Sequence, residues 1–172
     1  MKILKKLIIL VAIIALCGVG ALIDYFIAQT YQFEFVSVER LSEEPAYDEN
    51  GQEIPLDTGI ADGSTKVRIV VKLTQNGKPV SGHTLYIKTN RNVLGRMVTD
   101  ENGDVVIDYR CYKASGSKAV SPITLTVRDE DNSVFVFVPA TGEYVLKMIK
   151  GNQVEGSGMT TDDIFYGIEE GE

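Results

Sequence analysis

A chain of 172 residues has room for one domain with an anchor and a tail, but not for a second core of the usual size, about 100 to 150 residues. Its hydrophobic fraction of 44% is unevenly spread, densest in the first 28 positions, and the remainder is a polar, Trp-free sequence bearing Tyr and Val. The net charge of −7 is uneven: residues 39–62 hold eight acids against Arg40 alone, 151–172 hold six acids and no base, and 63–150 hold thirteen Lys/Arg against eight Asp/Glu, alternating along the chain instead of forming the basic face that nucleic-acid binding requires.

Lys2, Lys5 and Lys6 precede Leu7–Ile23, an uncharged run closed by Asp24, and Tyr25-Phe26-Ile27-Ala28 resumes the apolar character. Leu7–Ile23 meets the roughly 17 residues needed to span hydrocarbon, and the resumed stretch carries the segment past it. Three lysines before it and none for a long way after predict a single-pass segment over residues 1–28, with its N-terminus cytoplasmic and everything downstream extracytoplasmic. Three readings stay open: an uncleaved signal-anchor, a signal peptide cut near Gly18-Val19-Gly20, and a lipoprotein signal in which Leu16-Cys17-Gly18 is a degenerate lipobox. All three put the rest of the chain outside. With Cys17 inside the run, Cys111 is the lone outer thiol, so no disulfide framework is available.

From Tyr31 onward, short β-prone runs alternate with Gly, Asn, Asp and Pro. Gln32–Glu39 reads as a first strand. Residues 40–64, with two prolines and three glycines among the acids, read as a long acidic loop with room for a short edge strand near Ile54–Leu56. In Thr65–Gln75, Val67, Ile69, Val71 and Leu73 share one face, as in a half-buried strand. Asn76-Gly77 is a tight-turn pair, because both residues tolerate positive φ. His83–Thr89 and Val93–Thr99 follow as strands. Asn102-Gly103 predicts a second hairpin turn leading into Asp104–Tyr112, where Val105, Ile107, Tyr109 and Cys111 fall in phase. Strands are further expected at Ile123–Val127, at Val134–Val138 after a turn at Asp129–Ser133, and at Glu143–Ile149. Residues 150–172 read as an acidic flexible tail. The fold class expected is all-β: a two-sheet antiparallel sandwich of about seven to eight strands over 31–149, behind one N-terminal transmembrane helix.

Ala61-Asp62-Gly63 before Val67–Val71, Asn76-Gly77-Lys78-Pro79-Val80-Ser81-Gly82, and Thr99-Asp100-Glu101-Asn102-Gly103 before a strand together resemble the invasin/intimin-type bacterial immunoglobulin-like domain, in order and spacing. Carboxypeptidase-regulatory-like and other surface sandwiches share part of this pattern. The resemblance implies an immunoglobulin-like fold and an extracellular spacer or adhesive module at the bacterial cell surface, without catalysis.

His83 is the only histidine, and with Cys111 it invites comparison with sortase-like surface transpeptidases. Cys111 lies in phase with the core face, and the sequence context of that family is missing, so a buried structural thiol is expected. Asp100, Asn102 and Asp104 have the alternate spacing that opens a calcium loop but lack its Gly and closing Glu. They, and Asp129-Glu130-Asp131, read as solvated hairpin tips, so no metal, cofactor or catalytic residue is assigned. Ile164, Phe165, Tyr166 and Ile168, set in the acidic tail, form a candidate partner-docking motif by strand addition. The sequence therefore points to a membrane-anchored immunoglobulin-like module serving a structural or protein-binding role in the bacterial envelope, with an envelope or surface protein as partner. A carbohydrate- or cell-wall-binding lipoprotein is the alternative; the absence of Trp speaks against it and the eight Tyr keep it open.

Overall fold

An uninterrupted run of Leu, Ile, Val and Ala offers no competing hydrogen-bond partner to the backbone. Residues 2–28 accordingly form α1 (Lys2–Ala28), about 40 Å long at 1.5 Å per residue. The computed structural model describes residues 2–42, 45–48, 50–114, 120–135, 137–150 and 154–155. Within them α1 is followed by strands β1 (Tyr31–Arg40), β2 (Tyr47–Asp48), β3 (Thr58–Ala61), β4 (Lys66–Gln75), β5 (Lys78–Pro79), β6 (Thr84–Thr89), β7 (Val93–Val98), β8 (Asp104–Arg110), β9 (Ile123–Asp129), β10 (Thr141–Lys150) and β11 (Val154–Glu155). The chain is mostly β, and its sheets are arranged as in a β-sandwich. In one sheet β4 pairs with β1, β5 and β8; the other runs β3-β10-β9-β6-β7; β11 and β2 form a small third ladder.

The described residues fall into two compact units. The first draws on Met1–Glu34, Val71–Val105 and Leu125–Glu143. Its interior holds Leu73, Leu85, Ile87 and Val127, all fully buried. The β4–β5 connection is the tight turn expected of Asn76-Gly77, with φ of 51° and 77°, and it leaves Pro79 on an edge strand where its missing N–H costs no ladder bond. The second unit draws on Phe35–Val70, Val106–Thr124 and Tyr144–Glu172. It buries Val67, Ile69, Ile107, Tyr109, Cys111, Ile123 and Leu146. Alternation along β4 and β8 puts the apolar set inside, with Lys66, Arg68, Asp108 and Arg110 outside.

Four expectations need correction. The acidic loop 40–64 contains β2 and β3, and the edge strand lies at Thr58–Ala61, not Ile54–Leu56. Arg40 is the cause: its guanidinium, 4% exposed, donates to the carbonyls of Ile54, Pro55 and Thr58 at 3.2–3.4 Å and ties the loop to the end of β1. Secondly, the sandwich is not wholly antiparallel, because β3 runs parallel to β10, from Thr58 beside Lys147 to Ala61 beside Lys150. Thirdly, Asp100–Gly103 turns as expected, with the Gly103 N–H donating to the Asp100 carbonyl at 3.0 Å, yet it makes no hairpin. It carries the chain from β7 in one sheet to β8 in the other. Gly103, at φ 76°, passes so close over β4 that a Cβ there would lie 2.5 Å from the Leu73 carbonyl oxygen. Fourthly, the described residues of 134–138 are not a strand; they form bends that wrap the end of α1.

Candidate functional site

Asp24, the residue that closes the apolar run, is 0% exposed. It stands in the last turns of α1, where the helix dipole is negative and a carboxylate is unfavourable unless donors surround it. They do: the Ser133 hydroxyl donates to Oδ2 at 2.6 Å, the Val134 and Phe135 N–H groups to Oδ1 at 2.9 and 3.0 Å, and the Phe137 N–H to Oδ2 at 2.9 Å. Successive backbone N–H groups cupped around an anion form a nest. Here the anion is a side chain of the helix itself. The neck of the β9–β10 loop is closed by Asn132, whose Oδ1 accepts from the Ala140 N–H at 3.0 Å.

A second tie holds the same helix end. The Thr30 hydroxyl donates to the Ile27 carbonyl at 2.7 Å and caps α1; the Thr30 carbonyl accepts from the Asn76 N–H at 2.9 Å. The helix therefore passes into β1 after only Gln29 and Thr30, fixed on one side by the β4–β5 turn and on the other by the β9–β10 loop. One turn before Asp24, Gly20 leaves space for two rings: a Cβ there would lie 3.2 Å from the Phe137 side chain and 3.3 Å from that of Phe135.

Around this junction the hydrophobic surface is open. Leu16 and Phe26 are 74% and 67% exposed, and Val134, Phe135 and Phe137 are exposed as well. The stretch Lys5–Ala28 is long and apolar enough to cross a membrane, and only 11% of its most apolar 18-residue window is buried.

His83 and Asp129 are brought together in the first unit, His83 Nδ1 lying 2.8 Å from Asp129 Oδ2. Asp129 is not at a solvated tip; it is fully buried, and its Oδ1 also accepts from the Asp131 N–H. Glu130 accepts from Arg96 and Arg128, both of which lie over the Tyr86 ring, and Asp131 accepts from the Thr84 N–H at 2.6 Å. At the other acidic turn, Asp100 Oδ1 accepts from the Asn102 and Asp104 N–H groups, and Asp104 pairs with Lys72. Among the described residues no group of three or more His, Cys, Asp or Glu side chains converges as a metal site would. Cys111 is 2% exposed, and burial, reinforced by the Asp62 charge, pushes its thiol up to about 11. Ile164, Phe165, Tyr166 and Ile168 lie outside the described residues.

Sequence reasoning used Asp24 only as the end of a hydrophobic run. The signal available was an acid placed just before apolar residues resume. No family model, no curated protein and no solved structure matches this chain.

Proposed function

We propose that this chain is a single-pass, membrane-anchored module whose immunoglobulin-like domain stands outside the cytoplasm as a structural or protein-binding component of a bacterial envelope. The observation that carries the reading is the junction: a helix of spanning length, uncovered on its flanks, enters the β-rich part through two residues and is clamped there by Asp24 and Thr30. A cleavable leader has no use for such a clamp. A mechanical coupling between membrane and domain does.

The immunoglobulin-like assignment draws support from the order of the strands. Lettered in chain order with β1 as A, β3 as A′, β4 as B, β6 as C, β7 as C′, β8 as E, β9 as F and β10 as G, one sheet contains A, B and E and the other reads A′-G-F-C-C′. That partition separates B and E from C, F and G, as immunoglobulin-type sandwiches do. The cell-surface setting rests on the invasin/intimin-like motifs at 61–71, 76–82 and 99–103 and on the three lysines ahead of α1.

Alkaline extraction of membranes followed by intact-mass measurement tests the anchoring. The protein stays in the membrane pellet and retains residues 1–28. Release into the supernatant, a mature chain beginning at Ala21, or one lipidated at Cys17 would refute the proposal.

A further inference from the structure

We propose that the β9–β10 loop is a second membrane contact, with Val134, Phe135 and Phe137 entering the acyl-chain region of the outer leaflet alongside α1. The inference rests on the anchoring reading above and adds to it a surface and an occupant, phospholipid acyl chains. Three observations carry it.

The first is exposure. Val134, Phe135 and Phe137 are 66%, 47% and 51% exposed, a cluster of large apolar side chains that the described residues leave uncovered. The second is depth. The two phenyl rings lie against Gly20, four residues and so about 6 Å along the axis from Asp24, on the side of the apolar run. That places them beside the stretch Lys5–Ala28, and whatever surrounds Val19 at that level surrounds the rings. The third is the loop's backbone. Irregular chain entering hydrocarbon carries unsatisfied N–H groups, each costing several kcal/mol. Here the N–H groups of Val134, Phe135 and Phe137 are already bonded to the Asp24 carboxylate, at 2.9–3.0 Å. The helix thus supplies the acceptor for the three backbone donors of the residues that would leave water. Tyr25, half exposed on the helix end, has the amphipathic character that favours the headgroup boundary.

The chain contains no Trp, so single Trp substitutions give reporters without background. The full chain carrying Phe137→Trp, Phe135→Trp, Leu10→Trp or Val93→Trp is reconstituted in phosphatidylethanolamine/phosphatidylglycerol vesicles whose acyl chains are brominated near the carboxyl end or near the methyl end. Val93 pairs with Lys88, three strand positions or about 10 Å along β6 from Leu85, the partner of Asp129, and so serves as the distant control. Phe137→Trp and Phe135→Trp lose most of their emission to shallow bromine and less to deep bromine; Leu10→Trp, as many residues inside Lys6 as Gly20 is inside Asp24, is quenched in the same order; Val93→Trp is quenched by neither. Emission from both loop reporters that is insensitive to bromine while Leu10→Trp is quenched would overturn the loop contact and leave the anchor standing. An unquenched Leu10→Trp would overturn both.

Discussion

The Cys111 thiol sits where β8 has just ended, its N–H bonded to the Thr65 carbonyl and its Sγ so close to Gly59 that a Cβ there would lie 3.0 Å away. Burial disfavours the thiolate, and the nearby Asp62 carboxylate adds to the effect. A thiol held at about 11 in the folded protein but at its ordinary 9.0 when unfolded keeps its proton longer in the folded state. Its contribution to stability is full below pH 9 and is lost as the pH rises from 9 towards 11. In the Cys17→Ala variant, DTNB at pH 8 is therefore expected to find no reactive thiol until denaturant is added. Stoichiometric reaction of the native protein within minutes would contradict this placement. The phase of Cys111 with Val105, Ile107 and Tyr109 made its burial legible from the sequence. The burial of Arg40 and Asp129 was not legible, because a charged side chain goes inside only when distant backbone or side-chain partners meet it, and those partners are not sequence neighbours.

At the scale of elements, strands with strict alternation, above all Lys66–Gln75 and Asp104–Arg110, were legible because a period of two with Val, Ile and Leu on one side admits few other structures. Val134–Val138 shows where that reasoning fails. Its β-propensity is high, but a strand needs a ladder partner, and here three backbone N–H groups donate to Asp24 instead. Side-chain competition for backbone donors overrode local preference. The Asp24→Ala substitution removes the shared acceptor, so amide hydrogen exchange at Val134, Phe135 and Phe137 should speed up roughly 10- to 100-fold, with the exchange of β6 unchanged. Exchange in the loop indistinguishable from that of the unsubstituted protein would show that Asp24 does not hold it. β3 escaped sequence reading for a related reason: four residues, Thr58–Ala61, carry too little pattern, and their pairing with β10 spans nearly ninety positions.

For the molecule as a whole, all-β character and a helix of spanning length were both visible in the sequence, since each rests on a repeated local signal. The junction between them was not. It depends on Asp24 meeting residues 109 to 113 positions later, and nothing local to either segment announces the meeting. Yet that junction is what ties a helix of spanning length to the first of the two compact units, through Asp24 on one side and Thr30 on the other. Where the two ends of the chain stand relative to the membrane is thus the central matter. In protoplasts expressing the Cys17→Ala chain, a membrane-impermeant maleimide should label Val145→Cys, a position 55% exposed, without lysis, and should label Lys2→Cys only after lysis. Labelling of Lys2→Cys from outside, or protection of Val145→Cys until the cells are broken, would contradict the account.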